Sequence, residues 1–132
     1  MPPWCRAANE EFGLAYAARE PLSFTVGANT LGAYAWADQT AAGFTYKTNP
    51  LYQYNAYATG QLTSQKIGTG GHLVTIRGNL NYGASNVLVT AIGDDSEYCN
   101  VNGWTTNQVS VYCYRQDGAP INARFDVTFQ SW

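Results

Sequence analysis

From Ala33 to the C-terminus, apolar and polar residues alternate in short runs separated by turn clusters. A period of two predicts β-strands. Ala33–Asp38 alternates Tyr34 and Trp36 with alanines; Gly43–Lys47 is a second run, and Leu51–Tyr57 follows the Asn49-Pro50 turn. Val74 and Ile76 share one face of His72–Arg77, as do Val87, Val89 and Ala91 in Asn86–Ile92. Tyr98–Val101 leads to Gln108–Tyr114, where Val109, Val111 and Cys113 are in phase. The Asp117-Gly118 and Pro120 turn precedes Arg124–Phe129, which points Phe125, Val127 and Phe129 inward and Asp126, Thr128 and Gln130 outward. About seven strands in roughly 100 residues, with no helix required, predict an all-β fold. The expected architecture is an immunoglobulin-like antiparallel β-sandwich of about seven to eight strands.

Composition supports this reading. Ten Tyr and four Trp favour pleated, half-buried surfaces, and thirteen Gly supply turns. Hydrophobic residues at 45% against only 12% charged exclude a disordered chain and place a single core in a single 132-residue domain. Seven basic residues are scattered and the net charge is −2, so no basic stripe exists for nucleic acid. No apolar run approaches the roughly 18 residues of a membrane span. The Met-Pro-Pro-Trp start lacks the basic and apolar stretches of a signal peptide, so either a leader has been removed or the chain is an excised piece.

Residues 1–32 read differently from 33–132. Trp4-Cys5 leads through a polar turn to Phe12–Tyr16, echoing the order Tyr112-Cys113, turn, Arg124–Phe129. The first stretch therefore reads as an N-terminal strand and linker resembling the tail of a preceding module, with coincidence as the alternative. Phe12, Leu14 and Tyr16 would form a strand able to add to a neighbouring copy. Cys5 would then be free or bonded to another chain.

Cys99 and Cys113 sit on consecutive predicted strands, each in phase with inward valines, which brings them within disulfide reach. Free thiols are the alternative. Zinc is the poorer rival, because Cys-x-x-Cys spacing and partner histidines are missing. A disulfide and a low Lys content point to an extracellular or cell-surface location.

His72 is the single histidine, so any hydrolytic triad must run through it; the expected role is a strand-start residue with one ring nitrogen satisfied. No Gly-x-Ser-x-Gly elbow is present. Asp94, Asp95 and Glu97 offer oxygen ligands for calcium, but without the alternating spacing of a dedicated loop they read as a solvated turn. No catalytic residue, metal or cofactor is expected. Aromatic side chains are the strongest functional lead, since flat apolar faces with polar tips suit sugars and proteins alike. Tyr112 and Tyr114 should face outward opposite Val111 and Cys113. Tyr52 and Tyr54 share a face of undetermined direction, and Asn102 beside Trp104 supplies an amide. Trp36 and Trp104 are expected in the core or at its edge.

Residues 33–132 resemble a tandem module of large secreted, mainly actinobacterial proteins, a family without an assigned function. The resemblance rests on Tyr34-Ala-Trp-Ala-Asp38, Gly70-x-x-x-Val-Thr-Ile76, Asn86-Val-x-Val-Thr-Ala-x-Gly93, Cys99-x-Val-x-x-Trp104, Val109-x-Val-x-Cys-Tyr114 and Gly118-x-Pro-Ile-x-x-Arg-Phe-x-Val127. Departures concentrate in residues 44–69. The resemblance implies a tandem, extracellular, non-catalytic setting and brings no binding residues with it.

The expected function is a structural or interaction module whose partners are neighbouring modules or its own copies. The N-terminal strand is a possible means of self-assembly. The alternative is a glycan-binding module using Tyr52, Tyr54, Asn102, Trp104, Tyr112 and Tyr114. An enzyme centred on His72 ranks third.

Overall fold

The computed structural model describes residues 31–55, 61–76, 85–93 and 96–131. Phe12, Leu14, Tyr16 and Cys5 lie outside these residues, as do Asp94 and Asp95.

Among the described residues nine strands form: β1 (Leu31–Ala37), β2 (Tyr46–Lys47), β3 (Gln53–Asn55), β4 (Thr63–Gly68), β5 (Gly71–Thr75), β6 (Ser85–Ile92), β7 (Tyr98–Trp104), β8 (Gln108–Tyr114) and β9 (Arg124–Ser131). They build two antiparallel sheets packed as a sandwich, one ordered β3-β1-β9-β6 and the other β2-β4-β5-β8-β7. The first and last described strands are thus neighbours at the centre of the four-stranded sheet.

Alternation sets the core. Val74 and Ile76, Val109, Val111 and Cys113, and Phe125, Val127 and Phe129 all point between the sheets and are buried. On β1 the small residues face inward: Ala33, Ala35 and Ala37 are buried beside Phe129, Val127 and Phe125 of β9. Each large β9 side chain fills the space that its alanine neighbour leaves, which keeps interior packing dense. Tyr34 and Trp36 therefore stand on the outer face. This corrects the expected core position of Trp36, because two bulky rows on adjacent strands would overfill the layer.

Further corrections follow from turns. Leu51–Tyr57 is not one strand: Pro50–Tyr52 makes a 3₁₀ turn, with the Asn49 side chain accepting from the Leu51 N–H at 3.0 Å, before β3 begins. Pro at its first position carries no N–H that the turn would leave unpaired. Gly43–Lys47 shrinks to the two residues of β2, and β4 lies where no strand was expected. Leu62, just before β4, is fully buried in the core. Gln130 keeps its outward parity but is buried.

Cys99 and Cys113 are directly opposite across β7 and β8 and are joined by a disulfide, with Cα atoms 4.0 Å apart. Closing a loop of about 15 residues stabilises the fold by about 3 kcal/mol on chain-entropy arithmetic. Beyond the disulfide, β7 runs on to Trp104 through a bulge between Val101 and Gly103, so Asn102-Gly103 is not the end of the strand. The extra residue resets the alternation and brings Trp104 beside Val109 on the inner side. The Trp104 indole N–H then donates to the Ser85 hydroxyl at 2.9 Å, tying β7 to β6 at the corner where the sheets meet. At the opposite corner the Gln53 side-chain carbonyl accepts from the Leu62 N–H (2.9 Å) and the Thr48 hydroxyl (2.7 Å).

Candidate functional site

His72 is the second residue of β5 and shares the inward parity of Val74. It is fully buried against the Phe125 ring, with centroids 5.4 Å apart. Neither ring nitrogen has a hydrogen-bond partner among the described residues, which corrects the expected single satisfied nitrogen. Paired on both sides, with Lys66 of β4 and Val111 of β8, the residue is held within the sheet and aimed into the core rather than at a loop. Burial, with a smaller contribution from the Lys66 charge on β4, lowers its pKa to about 4. The imidazole is neutral at physiological pH, and no nucleophile is bonded to it.

Glu97 folds its carboxylate over Gly93, leaving one oxygen buried without a partner among the described residues. Among the described residues, no three His, Cys, Asp or Glu side chains gather as a metal site.

The outer face of the five-stranded sheet carries Tyr98, Tyr112 and Tyr114. Tyr98 and Tyr114 are cross-strand neighbours with stacked rings, 5.5 Å apart and 29° between planes. Tyr112 lies over Gly71, its register partner on β5: a Cβ there would stand 3.0 Å from the tyrosine ring. The preceding Gly70, at φ 75°, supplies the left-handed turn between β4 and β5. These tyrosines cover backbone and one another. Asn102 is exposed at the β7 bulge, while Trp104 packs on the core and donates to Ser85. The predicted contact residues thus divide among separate places.

The outer face of the four-stranded sheet is different. Tyr34 of β1 is flanked by Tyr54 on β3 and Thr128 on β9; Trp36 is flanked by Asp126 on β9. The Tyr34 and Tyr54 rings stack at 6.2 Å. Tyr52 meets Trp36 edge to face at 5.1 Å and 86°, holding the 3₁₀ turn above the sheet. The result is a shallow cleft of about 250 Å³ lined by Tyr34, Leu51, Tyr52, Asp126 and Thr128. Leu51 and Tyr52 remain 74% and 53% exposed. The Asp126 carboxylate has no hydrogen bond or ion pair among the described residues, and partial burial raises its pKa. Beneath the turn, the Trp36 indole N–H is buried without a partner among the described residues.

Sequence reasoning named Tyr52 and Tyr54 but missed Tyr34, Asp126 and Thr128. Their shared parity was legible, since Asp126 and Thr128 alternate with core residues. What brought them together, the pairing of β1 with β9, was not.

Comparison with known protein families, curated proteins and solved structures finds no match to this chain.

Proposed function

We propose that this chain is a non-catalytic extracellular interaction module whose working surface is the outer face of the four-stranded sheet. One observation carries the reading: the cleft sets exposed Tyr52 and Leu51 beside a carboxylate with no partner among the described residues, where a folded chain gains nothing by leaving them uncovered. The disulfide is compatible with an oxidising location, and no helix among the described residues is long and apolar enough to cross a membrane. Buried, neutral and partnerless, His72 is an unsuitable base for a hydrolytic triad. A bead of this kind, repeated in tandem, would bind through many weak contacts at once.

Self-assembly through strand addition is a second reading, favoured by the position of β6. This eight-residue strand ends its sheet in the described topology and offers one edge for pairing. The N-terminal Phe12–Tyr16 segment would be the natural donor.

The test compares the chain with a Tyr34→Ser/Tyr52→Ser double variant in two assays. One is molar mass by light scattering over a concentration series. The other is retention of the streptavidin-tetramerised chain on insoluble cellulose, chitin, xylan, mannan and peptidoglycan. The reading predicts at least one contact that the wild type makes and the double variant loses. No contact in either assay, or contacts indifferent to the double substitution, contradict it.

A further inference from the structure

We infer that the cleft between the Pro50–Tyr52 turn and strands β1 and β9 is a sugar subsite, binding one uncharged pyranose ring of a polysaccharide. Tyr52, Asp126 and Thr128 would make the deciding contacts. The inference deepens the reading above and rests on it.

A pyranose presents a flat face of C–H groups surrounded by a rim of hydroxyls. Such a ligand needs an apolar wall and, at right angles to it, hydrogen-bonding groups without prior commitments. The cleft supplies both. Tyr34, Tyr52 and Leu51 give apolar surface, and Tyr52 is fixed in place by its edge-on contact with Trp36. A ring held before binding loses little rotamer entropy when a ligand arrives. On β9, Asp126 and Thr128 project from the same face two residues apart, about 7 Å along the strand. The carboxylate accepts from two hydroxyls, and the threonine hydroxyl both donates and accepts.

Size and charge narrow the class. At about 250 Å³ the cleft falls below the roughly 300–1,000 Å³ of drug-sized pockets, and it is open, so it takes one unit of a chain whose ends run out to solvent. Arg124 shares the outward parity of β9 two residues from Asp126, so both signs of charge stand on this part of the face and neither forms a cluster that would single out an ion. Strand β9 is paired along its length on both sides and β1 is paired on both sides over Ala33–Ala35, around Tyr34, so a peptide cannot pair as an added strand there. Recognition falls to side chains, and their arrangement matches a neutral polyhydroxyl ring.

The tetramerised full chain is applied to the five polysaccharides named above, with Tyr52→Ala, Asp126→Asn and Tyr114→Ala alongside. Thermal unfolding of each variant verifies that it is folded; Asp126→Asn conserves shape and keeps the test open if Tyr52→Ala unfolds. The expected result is retention on at least one polysaccharide, weakened ten-fold or more by Tyr52→Ala or Asp126→Asn and unchanged by Tyr114→Ala. Retention on none, or retention that both cleft variants preserve, overturns the sugar subsite. If the same chain then self-associates through Tyr34 and Tyr52, the interaction face survives and only its ligand class is wrong.

Discussion

On the five-stranded sheet Tyr112 lies over Gly71 and Tyr98 stacks on Tyr114, whereas on the four-stranded sheet Tyr52 and Leu51 stand open to solvent beside a carboxylate with no partner among the described residues. Both faces are rich in tyrosine, yet they use it differently. On the first, each ring covers something of its own sheet, either a glycine or another ring. On the second, Tyr34 stacks on Tyr54 in the same way, but the 3₁₀ turn then lifts Tyr52 off the sheet and makes a cleft. An outward aromatic is therefore no sign of binding in itself. What separates a contact surface from a cross-strand ladder is whether polar neighbours are left without partners.

Substitutions on the two sheets should separate stability from binding. The largest expected effect is on the five-stranded sheet: Cys99→Ala/Cys113→Ala should lower unfolding free energy by about 3 kcal/mol in a denaturant titration, leaving binding by the folded fraction intact. Binding lost in step with the disulfide would mean that the two faces are not independent.

Acid should act next, through His72. Its folded pKa of about 4 lies below the ordinary 6.5, so the unfolded chain binds the proton more readily. Its stabilising effect is complete above pH 6.5 and is lost as pH falls toward 4, amounting to about 2 kcal/mol between neutrality and pH 5. His72→Leu should flatten that dependence in thermal melts; an unchanged slope would show that the imidazole is not what titrates. Asp126 runs the other way. Its carboxyl is raised by burial, so Asp126→Asn should leave the neutral-pH melting temperature unchanged or slightly higher while it removes binding.

Tyrosine truncation gives the smaller effects. Tyr112→Ala should cost about 1 kcal/mol by uncovering Gly71 and its neighbours, with no loss of binding. Tyr52→Ala should cost about 0.5 kcal/mol, the low end of an edge-to-face pair, and remove binding. Equal stability losses at the two positions would erase the distinction between the faces.

Much of the sandwich was legible in the alternation. Val109, Val111 and Cys113, then Phe125, Val127 and Phe129, share one parity each and occupy the core, and the in-phase cysteines meet across β7 and β8. Reading failed where one residue resets the phase. The bulge at Asn102 carries β7 past its expected end at Val101, although Trp104 reaches the core edge expected of it, and the Pro50 turn breaks a tyrosine-rich run that looks continuous. It also failed where size decides direction: Ala33–Ala37 alternates cleanly, but only its neighbours on β9 show that the alanines go inside. The cleft was the least legible part, because Tyr34, Tyr52 and Asp126 are distant in sequence and are joined by a pairing that no local pattern encodes.

The central claim, that the four-stranded sheet carries the working face, is tested most directly by mapping backbone amide shifts. Cellohexaose, chitohexaose, xylohexaose and mannohexaose would each be titrated into the isotope-labelled chain. The account predicts that at least one moves the amides of Tyr34, Trp36, Tyr52, Asp126 and Thr128 together and leaves Tyr98, Tyr112 and Tyr114 in place. Shifts confined to the second group would contradict it, as would none with any of the four in a chain that also fails to self-associate through Tyr34 and Tyr52.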